Sequence, residues 1–207
     1  MVLKIIGIVV LLLVILIAGL GIYLRAGYKL ENGEWAWVSY DEAAGKRIRK
    51  LAEVDQESFE ILKDKRYGKD KAKVFFLGRP IEDANPQTFE LLSKEGYARD
   101  DQYVFLDRIK LVQAHPQSFK TLRFPYAEDQ ERIYCGTIPL NLRGEELEEF
   151  RVKKGSSMRV TFLLSSFVEQ YPEYAWLDTL GIESVIVGEG SAETNTKRFD
   201  GYRERAK

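Results

Sequence analysis

The hydrophobic pattern falls into three regimes. From Ile5 to Leu24 the chain reads IIGIVVLLLVILIAGLGIYL, twenty residues without a charge. At about 1.5 Å of rise per residue, a helix of that length spans about 30 Å, the thickness of a bilayer's hydrocarbon core. A soluble surface helix carries an apolar stripe, whereas this segment is apolar on every face. A cleavable signal peptide has a shorter apolar region and a small-x-small site, and Gly19, Gly21 and Ala26 are too scattered to make one. The only Cys is Cys135, far beyond the run, which excludes a lipoprotein anchor. The pattern therefore predicts an uncleaved transmembrane anchor within residues 1–26. Its flanking charges, Lys4 against Arg25 and Lys29, are close to balanced. The expected orientation leaves the short amino end in the cytoplasm and the bulk of the chain outside.

The second regime is a repeat. VDQESFEIL from Val54, ANPQTFELL from Ala84 and AHPQSFKTL from Ala114 recur with a period of 30 residues. Leu51, Ile81 and Leu111 share one position; Phe59, Phe89 and Phe119 share another; Leu62, Leu92 and Leu122 share a third. Tyr67, Tyr97 and Tyr126 correspond, as do Asp70, Asp100 and Asp129, with the third copy one residue short. Val74-Phe75-Phe76, Val104-Phe105-Leu106 and Ile133-Tyr134-Cys135 are aromatic and β-branched, which predicts strands. Gly78 and Gly136 suit a tight turn after them, and Ile81, Leu111 and Leu140 begin the return leg. Asp55, Asn85 and His115, followed in two copies by Pro86 and Pro116, read as N-caps, and the Phe and Leu three residues apart predict a helix of about two turns.

A looser copy precedes these. Gly27-Tyr28 matches the recurrent Tyr, Asn32-Gly33 is a strong hairpin turn, and Trp35-Ala36-Trp37-Val38 stands for the aromatic strand. After Leu140 the register is expected to decay in GEELEEF, and the altered first and fourth copies would then cap the array. From Arg151 no repeat is visible. Arg159 to Leu164 reads as a strand, Ser166 as the cap of a helix broken at Pro172, Ile182 to Val187 as a strand, and Glu189 to Lys197 as a loop into a loosely held tail. The predicted fold class is α+β and β-rich: an anchor over 1–26, tandem units of β-hairpin plus short helix over 27–150, and a small α/β extension over 151–207.

Composition narrows the chemistry. With 31 basic and 32 acidic residues the net charge is −1, which gives no reason to expect a nucleic-acid partner. One Cys and one His allow neither a disulfide nor a Cys/His zinc site, and no cofactor is expected.

The sequence from the recurrent Tyr through Asp, the aromatic strand and the turn to small-Asn-Pro-x-Thr-Phe-x-x-Leu resembles the DKNYY family over about residues 27–140. That resemblance implies a bacterial envelope protein, often membrane-anchored, with no established activity, and it transfers no catalytic residue. The family's Asp-Lys survives here only at Asp70-Lys71; it is Asp100-Asp101 and Asp129-Gln130 in the other copies.

Each candidate site has a plain alternative. His115 aligns with Asp55 and Asn85 and reads as a cap rather than a general base. Asp70, Asp100 and Asp129 lack the dense carboxylates of a calcium loop and read as turn residues. Cys135 occupies a strand position held elsewhere by Phe76 and Leu106, which favours packing over nucleophilic chemistry. Gly188-Glu189-Gly190 lacks the third Gly of a dinucleotide loop. The glutamates around Glu148 read as a solvated helix face or an acidic docking patch. Trp35, Trp37 and Trp176 are large enough for one to serve as an exposed anchor. The expected function is non-catalytic binding of an envelope protein or glycan, of which a toxin-neutralising immunity protein is a special case. Candidate contacts are Lys71, Gln102 and Gln130, taken as equivalent turn positions, together with Glu148. The alternative is a hydrolase using carboxylates after Arg151.

Overall fold

The computed structural model describes residues 26–111 and 113–207, together with residues 8, 10, 13–17 and 21. The predicted anchor over residues 5–24 lies largely outside the described residues. Among the described residues no helix is long and apolar enough to cross a membrane. What is described is β-rich, with several small antiparallel sheets and few helices. It divides into two compact units, Met1–Pro80 and Ile81–Lys207.

Unit 1 holds a three-stranded meander, β1 (Gly27–Glu31), β2 (Glu34–Asp41) and β3 (Gly45–Lys50), then a four-stranded one, β4 (Glu60–Ile61), β5 (Tyr67–Lys69), β6 (Val74–Phe76) and β7 (Arg79–Pro80). Asn32 and Gly33 both have positive φ, 56° and 84°, and join β1 to β2 in the tight turn that the Asn-Gly pair predicts. Tyr28, Leu51, Phe59 and Phe75 form its buried cluster, with Trp35 and Trp37 packed against them.

Unit 2 repeats the four-stranded meander. Its first copy is β8 (Glu90–Leu91), β9 (Tyr97–Arg99), β10 (Val104–Leu106) and β11 (Ile109–Leu111). Its second is β12 (Lys120–Thr121), β13 (Tyr126–Glu128), β14 (Ile133–Cys135) and β15 (Ile138–Pro139). The two-turn helix predicted for each copy is absent from all three. A single turn stands there instead, closed by bonds such as Ser118 N–H to the His115 carbonyl at 3.2 Å. Beyond it the backbone is drawn into extended pairing: Leu62, Leu92 and Leu122 donate to the carbonyls of Tyr67, Tyr97 and Tyr126 at 3.0, 2.8 and 3.1 Å. Phe and Leu at a helical spacing are satisfied here by one turn followed by a strand.

The larger correction concerns the region after Leu140. The sheet order β16 (Arg151–Lys154), β19 (Ser191–Glu193), β20 (Lys197–Asp200), β21 (Arg203–Ala206) is a fourth copy of the meander. Between its first and second strands lie β17 (Arg159–Leu163), α2 (Leu164–Gln170), a 3-10 helix (Pro172–Leu180) and β18 (Ser184–Gly188), with β17 and β18 pairing as a sheet of their own. The fourth repeat is intact but split by an insert. Lys154 is the register partner of Ser191, so the two ends of the insert lie side by side.

The equivalences hold residue by residue. Phe150 takes the place of Phe119: its ring is 5.4 Å from Tyr126, as Phe119 is 5.5 Å from Tyr97 and Phe59 is 5.3 Å from Tyr28. Phe199 lies 5.9 Å from Phe150, matching Phe119 to Tyr134 at 5.9 Å and Phe59 to Phe75 at 6.0 Å. Leu77, Asp107, Gly136 and Gly201 occupy one turn position, all left-handed, with φ of 50°, 56°, 64° and 59°. Glu53, Asp83, Gln113 and Gly144 occupy another, with φ of 53°, 61°, 64° and 57°. Leu140 begins the return leg as expected, its N–H bonding to the Ile133 carbonyl at 2.7 Å where Leu111 is the register partner of Val104, and Phe150 follows it after ten residues instead of eight, so the register slips by two before Gly144 and holds from there to Phe150. GEELEEF forms a one-turn α1 (Glu145–Glu149). The segment from Glu189 onward, expected as a loop and loose tail, supplies the three closing strands of that repeat.

Candidate functional site

Two side-chain devices build each repeat. The first is the recurrent Asp. Asp100 accepts backbone N–H bonds from Gln102 at 2.8 Å and Tyr103 at 2.6 Å on one oxygen, and from the distant Asn85 at 2.9 Å on the other. Asp70 does the same with Ala72, Lys73 and Asp55, and Asp129 with Glu131, Arg132 and His115. Each carboxylate thus pins its own turn and the start of its copy. These bonds support the turn role over calcium binding, and among the described residues no group of three His, Cys, Asp or Glu side chains is arranged to hold a metal ion. In the fourth copy Thr194 Oγ1 keeps the two turn bonds, to Thr196 and Lys197, and has no second oxygen for the third.

The second device is the recurrent Tyr. The hydroxyl of Tyr97 donates toward the Pro125 and Gly136 carbonyls of the next copy at 3.0 and 2.9 Å; Tyr126 reaches Gly201 O at 3.0 Å; Tyr28 reaches Arg66 O at 3.1 Å and accepts from Gly78 N–H. Burial raises the pKa of Tyr28, Tyr97 and Tyr126 well above the ordinary phenol value. The tyrosine therefore ties one copy to its successor.

His115 differs from the expected cap. It contributes its backbone N–H to Asp129, while its Nε2 stands 3.3 Å from a Glu131 carboxylate oxygen in a half-exposed position. Asp55 and Asn85 cap through their side chains, Asp55 accepting from Ser58 N–H and Asn85 from Gln87 N–H, both at 3.0 Å, and the Lys71 ammonium together with Ser58 lowers the Asp55 carboxyl to about 2. Cys135 is fully buried, its thiol directed at Gly188 O, and burial pushes it up to about 12. Gly188 and Gly190 leave β18 for a strand rather than a helix, and a Cβ on either would press into Pro125.

The turn positions need one correction. Ser58, Thr88 and Ser118 each accept, through the hydroxyl, the backbone N–H of Lys71, Asp101 and Gln130 at 3.1, 3.2 and 3.2 Å. Asp101, not Gln102, is therefore the partner in register with Lys71 and Gln130, because the Asp pins Gln102 one step further along the turn. Asn195, whose N–H reaches Glu149 at 3.3 Å, continues the series in the fourth copy. Lys71, Gln102, Gln130 and Glu148 are all exposed. Lys71 is already paired with Asp55 at 2.6 Å.

The concavity of unit 2 lies elsewhere. A cleft of about 900 Å³ opens between the insert and the third and fourth repeats. The insert contributes Tyr171, Tyr174 and Trp176, and the repeats contribute Arg132, Arg143 and the β20–β21 hairpin from Phe199 to Arg205. Phe167, fully buried on α2, holds this wall: its ring is 5.1 Å from Tyr171, 5.4 Å from Tyr174 and 5.3 Å from Tyr202. Tyr174 donates to Tyr202 O at 2.8 Å. Arg203 lies over Tyr171 and Tyr202, 5.2 and 5.5 Å from the ring centres, and donates to the Tyr171 hydroxyl. Hydrogen bonds from Tyr202 and then Arg203 lower the Tyr171 pKa. Trp176 is 42% exposed, whereas Trp35 and Trp37 are packed into the core of unit 1, so the exposed aromatic anchor among the three is Trp176.

The sequence model of the DKNYY family matches residues 38–160, more than half of the chain. The chain belongs to the DKNYY family. The Asp of its namesake motif is, in this DKNYY chain, the residue that pins each turn, which explains why Asp is retained in three copies while the Lys beside it is not. The family match stops inside the insert, short of the strands that complete the fourth repeat. No curated protein and no solved structure matches the chain.

Proposed function

We propose that this chain is a non-catalytic binding module of the bacterial cell envelope, anchored in the cytoplasmic membrane through residues 5–24 with residues 28–207 on the outer side. The cleft of unit 2 carries this reading. Its volume lies within the range of ligand sites, and ring packing around Phe167 together with the strands β20 and β21 fixes part of its wall. The side chains with the strongest pKa shifts, the buried tyrosines and Cys135, serve packing. Glu131, the cleft carboxylate in the turn between β13 and β14, is engaged by Arg132 at 3.0 Å. The anchor supports a role at the membrane surface, where one apolar span holds a binding domain close to envelope components. Gln102, Gln130 and Glu148 supply further exposed polar contacts for a partner that extends beyond the cleft.

Two measurements test the reading. A reporter that fluoresces only in the cytoplasm, fused after Lys207, is expected to stay dark; bright membrane fluorescence reverses the orientation. A photo-crosslinking residue at Trp176 of the full chain in living cells is expected to trap a partner, with weaker capture from Gln130 and Glu148. Equal absence of product at all three positions contradicts the binding role.

A further inference from the structure

We propose that the cleft of unit 2 binds an acidic saccharide, a chain of sugar rings bearing carboxylates. This rests on the binding-module reading and names its ligand class. Three observations converge.

The first is an imbalance of charge. Arg143, Arg203 and Arg205 line the cleft and form no ion pair among the described residues. Of the cleft's carboxylates, Glu131 is paired with Arg132 at 3.0 Å, which leaves Glu173 and Glu204 against three arginines; the Lys197 ammonium, 3.7 Å from Glu204, lies closer to Glu146 at 3.0 Å. Guanidinium groups present forked N–H donors that match carboxylates, so the surplus selects an anion.

The second is the aromatic wall. Trp176 is exposed and Tyr171 half-buried, both on the insert, and sugar rings present apolar C–H faces that lie against such surfaces. Gln113 and Asn141 add amide groups on the opposite side, able to donate to and accept from hydroxyls.

The third is how the site is held. Arg203 is fixed over two tyrosine rings and bonded to the Tyr171 hydroxyl, so its donors are positioned before a ligand arrives. Positioning of this kind lowers the entropy cost of binding. The concave shape suits a short oligomer of rings better than a folded protein surface, which would need a broad, flatter contact.

The test titrates the full chain, purified in detergent, with a trimer of galacturonate and, separately, with the uncharged galactose trimer and a glutamate hexapeptide. The expected result is saturable heat of binding with the galacturonate trimer, at least tenfold weaker binding with the other two, and attenuation by salt. Arg143→Gln combined with Arg205→Gln, both exposed and outside the core, is expected to reduce affinity at least tenfold with an unchanged circular dichroism spectrum, and Trp176→Ala to reduce it similarly. Equal binding of the neutral trimer overturns the requirement for charge. Equal or tighter binding of the hexapeptide overturns the saccharide assignment. Absence of binding to all three overturns the ligand class, and a crosslinked partner from Trp176 in cells then shows that the binding role stands without it.

Discussion

Replacing Asp100 separates its two jobs. Its carboxylate is 4% exposed and accepts three backbone N–H bonds, two within its own turn and one from Asn85, which begins the copy. Asp100→Thr reproduces the natural state of the fourth copy, where Thr194 retains the two turn bonds and forgoes the third. That substitution leaves the part-buried Asn85 N–H without its acceptor, at a cost of about 1–2 kcal/mol. Asp100→Ala removes all three acceptors; the turn donors recover some hydration because Gln102 is exposed, so the total is about 3–4 kcal/mol. Urea unfolding followed by circular dichroism reads both values, and amide hydrogen exchange at Asn85 shows whether the bridging bond specifically is lost. If Thr proves as costly as Ala, the bridge carries the whole effect and the turn bonds carry none. If Ala costs less than about 1 kcal/mol, the Asp does not organise the repeat, and its recurrence needs another explanation.

Other positions give sharper signs. Leu77→Gly relieves a left-handed leucine and is expected to stabilise by about 1 kcal/mol; Gly136→Ala at the equivalent position drives a Cβ into the Ile186 carbonyl and is expected to destabilise strongly. Phe119→Ala, which empties the space between Tyr97 and Tyr134, is expected to cost about 3–5 kcal/mol, while His115→Asn stays within about 0.5 kcal/mol because the bond from position 115 to Asp129 is made by the backbone. In alkali the buried tyrosines and Cys135 keep their protons in the folded chain and lose them on unfolding, so their stabilisation is complete below the ordinary thiol and phenol pKa values and declines above them. Tyr171, whose pKa is lowered, ionises first; the phenolate absorbance of the buried tyrosines is expected to rise together with the loss of circular dichroism, and their ionisation ahead of that loss contradicts the assignment.

The period was legible because Tyr, Asp and Phe recur at near-constant spacing, and each has a physical reason to recur: one staples, one pins, one packs. Pro86 and Pro116 after a residue at the cap position, with Phe and Leu three apart, are compatible with either a two-turn helix or a single turn. Only pairing with the following strand decides between them. The fourth copy was hidden by three changes at once: Ser191 replaces the Tyr, Thr194 the Asp, and an insert separates Phe150 from both. What survives there is backbone geometry, the left-handed Gly144 and Gly201, which a residue pattern shows weakly. The cleft was not legible at all. Its walls come from residues as distant as Arg132 and Arg205, brought together because the insert folds back beside the repeat that it interrupts.

The claim on which the rest depends is that the last strands complete a split fourth repeat and give the insert a fixed base. Native-state hydrogen exchange at Gly201, whose N–H bonds to Gly190 O at 2.7 Å, tests it against Gly136, whose N–H bonds to Pro125 O at 2.8 Å in the uninterrupted third repeat. If the fourth repeat is a true copy, both amides are protected and open with free energies within about 1 kcal/mol of each other, as members of one cooperative unit do. Exchange at Gly201, Thr194 and Lys197 as fast as in an unstructured tail, with Gly136 still protected, contradicts the account.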